Sequence, residues 1–124
     1  MWQSNPVVAM VDDDRRVRES IQSVLESAGY AAITFESAEM FLESGALSSV
    51  TCVIADVRLP GLDGTELQRR IRHERRQLPV IIITAHDDED IRRQALRDGA
   101  VAFLVKPFDG GVLLDHIARA TNYP

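Results

Sequence analysis

One cysteine in 124 residues leaves no internal disulfide to build with. Cys52 sits inside an apolar run, where a thiol behaves as a small buried hydrophobe. Long hydrophobic runs are missing too: none approaches the ~20 residues that a membrane-spanning helix needs. The N-terminus lacks the basic-then-apolar layout of a signal peptide, so a cytoplasmic chain without a membrane partner is expected. Surplus positive charge is absent. The net charge of −5 argues against direct nucleic-acid binding, since a phosphate backbone is gripped by excess Lys and Arg. No low-complexity tract, repeat or linker breaks the chain, which predicts one domain over residues 1–124, burying roughly two thirds of its unfolded surface. Lysine is the scarcest basic residue: of 14 Lys and Arg, only Lys106 is a lysine.

What the chain does have is five short apolar runs, VVAMV (7–11), AAITF (31–35), CVIA (52–55), PVIII (79–83) and VAFLV (101–105). Four are continuous rather than alternating, as expected of parallel strands covered on both faces. Helical spacing fills the gaps. Val17, Ile21, Val24, Leu25 and Ala28 form one stripe, closed by Gly29. Ser37 is placed to cap a short helix carrying Phe41 and Leu42 up to Gly45. Asp63 and Glu66 resemble a capping box ahead of Leu67 and Ile71. The acids of DDED (87–90) suit the start of a fourth helix ending at Gly99, and Leu113, Leu114, Ile117 and Ala118 mark a fifth, with TNYP as a frayed end. Alternation of this kind predicts an α/β fold: a doubly wound, five-stranded parallel sheet with five helices.

Ligands of such sheets bind outside the carboxyl ends of the strands. The first run ends in Asp12-Asp13-Asp14, the third in Asp56, the fourth in Thr84 and the fifth in Lys106. Each has a plain structural use. The triplet could cap a helix, Asp56 could serve a turn, Thr84 could cap the next helix, and Lys106 could be a solvated charge. Together they also make a chemical site. Carboxylates from two strand ends offer hard oxygen ligands to Mg²⁺, which needs one or two of them and keeps several waters. A cation there would let an anionic phosphoryl group approach. Asp56 would then be the nucleophile, forming an aspartyl-phosphate, with Thr84 donating to a phosphoryl oxygen and Lys106 adding a compact charge.

The motifs VDDD (11–14), IADVRLPGLDG (54–64), ITAHDD (83–88) and LVKPF (104–108), in this order, resemble the receiver domains of two-component response regulators, closest to FixJ-type receivers. The likeness covers essentially the whole chain and implies the flavodoxin-like receiver arrangement of the sheet. It implies that Asp56 accepts a phosphoryl group from a sensor histidine kinase. Asp13, Asp56 and the backbone carbonyl of Arg58 would bind Mg²⁺ (Mn²⁺ substituting), with Asp12 helping through water. Thr84 and Lys106 would contact the phosphoryl oxygens, Ala85 would leave them room, and Lys106-Pro107 would be a cis peptide. Phe103 would be either an aromatic that turns inward on activation or a plain core residue. The resemblance further implies a regulatory domain rather than an enzyme, a monomer that pairs on phosphorylation through its fourth helix, fifth strand and fifth helix, and a helix-turn-helix output domain outside this chain.

Asp14, Arg58 and His86 occupy variable positions of these motifs and would tune the lifetime of the acyl phosphate. RRIRHERR (69–76) reads as a solvated helix face rather than a phosphate-binding stripe. Three rivals remain: an aspartyl-phosphate hydrolase, which would want a second aspartate two residues after its nucleophile, where Arg58 stands; a flavin carrier, which would want a Ser/Thr/Gly loop in place of DDD; and a phosphorylation-independent binding module.

Overall fold

The computed structural model describes residues 6–121. Five strands, β1 (Val7–Val11), β2 (Ala31–Phe35), β3 (Cys52–Asp56), β4 (Val80–Thr84) and β5 (Ala102–Val105), alternate with helices α1 (Arg15–Ser27), α2 (Ala38–Glu43), α3 (Gly64–Glu74), α4 (Glu89–Arg97) and α5 (Gly110–Thr121); a 3₁₀ turn, Ala46–Ser48, follows α2. All pairings are parallel, in the order β2-β1-β3-β4-β5. This is the expected doubly wound sheet. Strand order reverses between β1 and β3, so the crevice opens at the carboxyl ends of those two strands.

The continuous runs split by alternation into two cores, because successive side chains of a strand point to opposite faces. Ala9, Val11, Val53, Ala55 and Ile82 pack with Phe41, Leu67, Ile71 and Ala95 on one face. Val8, Met10, Ile54, Ile81 and Ile83 pack with Ile21, Leu25, Leu113 and Ile117 on the other. Cys52 is wholly buried, and burial pushes its thiol up to about 12. β2 departs from the other strands: at one edge of the sheet, with no partner beyond it among the described residues, it leaves Ala31 and Ile33 exposed and its other positions half-buried.

The capping signals are used as read, with one correction. Ser37 and Asp88 accept from the first turns of α2 and α4. Asp63 accepts from Glu66 N at 2.9 Å, but the reciprocal half of the capping box is not made: the Glu66 carboxylate accepts from Arg69 at 2.7 Å. The arginine run is more than a solvated face. Arg75 Nη1 donates to the carbonyls of Leu47 and Val50 at 2.8 and 2.7 Å, tying the end of α3 to the 3₁₀ turn. Thr121 is helical, and the rest of TNYP lies outside the described residues.

Candidate functional site

Register sets up the site. Val11 pairs with Ala55, so Asp12, one residue on, comes level with Asp56, the last residue of β3. Asp56 pairs with Ile83, and Thr84 with Val105, which brings Lys106 beside the end of β4. Asp56 and Thr84 thus end their strands from within, where the sequence placed them just beyond. Four elements deliver one cluster.

The acidic triplet divides its labour. Asp14 is the cap of α1, its Oδ1 accepting from Arg16 N at 2.9 Å, and its carboxylate lies outside the cluster. Asp12, Asp13 and Asp56 each offer an oxygen, all within 4.8 Å of one another. Asp12 is fully buried, Asp56 nearly so, and Asp13 is exposed. The cluster is therefore three carboxylates, where counting acids along the sequence gave four.

Lys106 is no solvated charge. Its Nζ donates to Asp12 Oδ2 and to Asp56 Oδ2, both at 2.8 Å. Burial pushes the Asp12 carboxyl above its usual range, although the Lys106 ammonium and the Asp14 N–H pull the other way. For Lys106, burial would lower its affinity for a proton, but the bonds to Asp12 and Asp56 outweigh that and raise it. The ammonium therefore stays charged through neutral pH and fixes both carboxylates.

Around this centre, Asp56 Oδ1 also accepts from Arg58 N at 3.1 Å, the turn-forming role its position suggested. Asp13 and Arg58 line one shallow cleft with Val57, Asp63 and Ile91. Thr84 is buried, its hydroxyl oxygen accepting from His86 N at 3.1 Å; it does not cap α4, a task left to Asp88. Ala85 and His86 are exposed beside it. The Lys106–Pro107 bond is cis. Phe103 packs inward against the α4 side of the sheet, with the Arg92 guanidinium 6.0 Å from its ring centre.

Three contributors escaped sequence reasoning. Arg18 donates from α1 to the Asp12 carbonyl. Its signal was available: positions 18, 21, 25 and 28 share one helical face, so an arginine stands in line with the buried stripe. Glu39 accepts from Leu62 N at 2.8 Å, bracing the β3–α3 loop from α2. That bond lowers the affinity of the Glu39 carboxylate for protons. Gly64 lies over the end of β3 so closely that a Cβ there would overlap the Asp56 carbonyl. No short-range pattern announces either of the last two.

A carboxylate cluster with a fixed ammonium, at the switch point of a five-stranded parallel sheet, has counterparts. The family model "Response regulator receiver domain" matches residues 8–118. The chain belongs to that family. Over 113 residues it is 40% identical to the transcriptional regulatory protein FixJ of Bradyrhizobium diazoefficiens, covering 91% of this chain and 55% of that protein. It is 37% identical over 117 residues to the DNA-binding transcriptional regulator NtrC of Escherichia coli K12, covering 94% of this chain and 25% of that one. The solved structure of FixJ-N superposes with a TM-score of 0.84 at 33% identity, spanning 98% of both chains. The receiver thus spans about half of FixJ and a quarter of NtrC. Among its described residues no helix is long and apolar enough to cross a membrane.

Proposed function

We propose that this receiver takes a phosphoryl group from a phosphohistidine of a sensor histidine kinase onto Asp56, with Mg²⁺ as cofactor and Mn²⁺ able to substitute. The observation that carries the reading is the Asp56 carboxylate itself, within 4.8 Å of two other carboxylates and hydrogen-bonded to an ammonium at 2.8 Å. In the transfer the P–N bond to the histidine breaks and a P–O bond to Asp56 forms. Asp12, Asp13, Asp56 and the Arg58 carbonyl would hold the metal, an oxygen-only set suited to a hard cation. When bound, Mg²⁺ supplies neutralisation of the charge on the phosphoryl oxygens. Lys106, freed from one of its carboxylate partners, follows the new negative charge, and the Thr84 hydroxyl turns from His86 N to donate to it. The chain promotes only its own phosphorylation and dephosphorylation. Incubation with acetyl phosphate and Mg²⁺ should add one phosphoryl group by intact-mass measurement; no mass gain would contradict the proposal.

The metal part has its own check. Three close carboxylates repel one another, each pair by roughly 3–4 kcal/mol at a near-surface effective dielectric of ~20, and one ammonium offsets only part of this. Mg²⁺ should raise the melting temperature of the wild type, and Asp13→Asn should lose most of that gain because Asp13 is the exposed ligand that Lys106 does not hold. Equal upshifts in the two proteins would remove Asp13 from the site.

Output would leave through α4, β5 and α5. α4 buries only Ala95, with Ile91 half-buried and Leu96 exposed, so it is lightly held and able to shift. Phe103 occupies the inward position here, and activation is read as favouring that position over an outward one. The same face, bearing Arg93 and Arg97, would pair two copies about a two-fold axis and so control a helix-turn-helix output domain carried elsewhere in the protein. Beryllofluoride with Mg²⁺ should convert a monomer into a dimer by light scattering, and charge reversal at Arg93 or Arg97 should weaken the dimer without touching phosphorylation. A monomer in both states would discard the dimer.

A further inference from the structure

We infer that Arg18 is a positioning residue of the cation site, acting on Asp13 through the backbone; this rests on the proposed reading of the site as a Mg²⁺ centre. Asp13 is exposed, and its carboxylate takes no hydrogen bond or ion pair among the described residues. What the fold fixes of Asp13 is therefore the backbone that launches its side chain. The peptide unit joining Asp12 to Asp13 is planar, so fixing the Asp12 carbonyl oxygen fixes the plane from which Asp13 departs. Arg18 Nη1 donates to that oxygen at 2.8 Å.

The neighbouring ties act on the rest of the turn. Asp12 N donates to Phe35 O at 3.1 Å, and Asp14 N to Asp12 Oδ1 at 2.8 Å. Among the described residues, only Arg18 holds the carbonyl between Asp12 and Asp13. The guanidinium itself is held: its side chain is 14% exposed on the buried face of α1, and Nη2 lies 4.0 Å from Glu36 Oε2 at the end of β2. A long side chain so enclosed loses its freedom on folding, not on metal binding, so the backbone that carries Asp13 is set before the cation arrives.

The two roles open to Arg18 predict opposite signs. A guanidinium near a cation site repels the cation, so if charge were its only effect, its removal would tighten Mg²⁺ binding. If it positions Asp13, removal weakens binding, and groups that orient metal ligands typically contribute 10–100-fold in affinity. The experiment is calorimetric titration of Mg²⁺ into the wild type, Arg18→Met and Arg18→Lys, with urea unfolding in the absence of metal to establish that each variant is folded. Met keeps the apolar stem and removes the donor; Lys keeps charge and a donor but has one nitrogen where the guanidinium uses two, one toward Asp12 O and one toward Glu36. Expected is a Kd about tenfold higher for Arg18→Met, with Arg18→Lys intermediate. Should the Met variant not fold, the Lys variant decides alone by the same criterion. Affinity equal to or tighter than wild type in a folded variant overturns the positioning role and leaves the Mg²⁺ site standing, whereas a wild type that binds no Mg²⁺ overturns both.

Discussion

Asp56→Asn is expected to abolish labelling by acetyl phosphate while the protein stays folded. Loss of label follows from chemistry: an amide nitrogen has no free lone pair and an amide oxygen is a far weaker nucleophile than a carboxylate oxygen, so no stable acyl phosphate forms. Retention of the fold follows from the balance of charge. The substitution removes a hydrogen bond from Lys106 Nζ, but that ammonium keeps Asp12 Oδ2 at 2.8 Å and is not left alone in a buried place. It also removes repulsion from two carboxylates within 4.8 Å. The lost attraction and the relieved repulsion are of comparable size and opposite sign. Asn Oδ1 can still accept from Arg58 N, so the turn at the end of β3 survives. The measurement is intact-mass analysis beside a thermal melt. Label persisting at one phosphoryl group per chain would move the acceptor to another side chain, Asp12 or Asp13 being the nearest.

Much of this site was legible because its chemistry sits where strands end, and strand ends are marked by hydrophobic runs. Asp12, Asp56, Thr84 and Lys106 each follow or close an apolar run, and parallel register does the rest. Less legible was how the triplet divides. All three aspartates satisfy the same local pattern, and only the turn geometry sends Asp14 to Arg16 N while Asp13 faces the cleft. β2 reads like its sister strands because Ala31–Phe35 is apolar except for Thr34, yet its edge position leaves Ile33 exposed. The capping box failed in one half because Arg69 competes for Glu66, an i,i+3 partner that pattern matching ignores. Arg75 and Glu39 were hidden for a simpler reason: their partners, Leu47, Val50 and Leu62, lie more than twenty residues away.

Gly64→Ala is expected to destabilise the receiver strongly and to disturb Asp56 with it, although alanine is the better helix former. The reason is space. Gly64 is the first residue of α3, and its N–H donates to Val57 O at 2.9 Å, drawing the helix start down onto the end of β3. A Cβ added there would overlap the Asp56 carbonyl oxygen and reach 3.0 Å from Val57 Cα, both backbone atoms that no rotamer change can move aside. Gly45 is the contrasting case. It needs glycine for its φ of 81°, and its Cβ would meet nothing within 4 Å. Gly45→Ala should therefore cost only about 1–3 kcal/mol of backbone strain. Gly64→Ala should cost more than the 1–3 kcal/mol typical of overpacked cores, where side chains can still adjust. Relief requires α3 to lift from β3, which breaks the Val57 bond and shifts the Asp56 backbone. In urea unfolding without metal, the Gly64 variant should thus lose clearly more stability than the Gly45 variant, and its folded fraction should take up phosphoryl groups more slowly. Equal losses would mean that α3 lifts from β3 at little cost and that close approach at Gly64 does not require glycine.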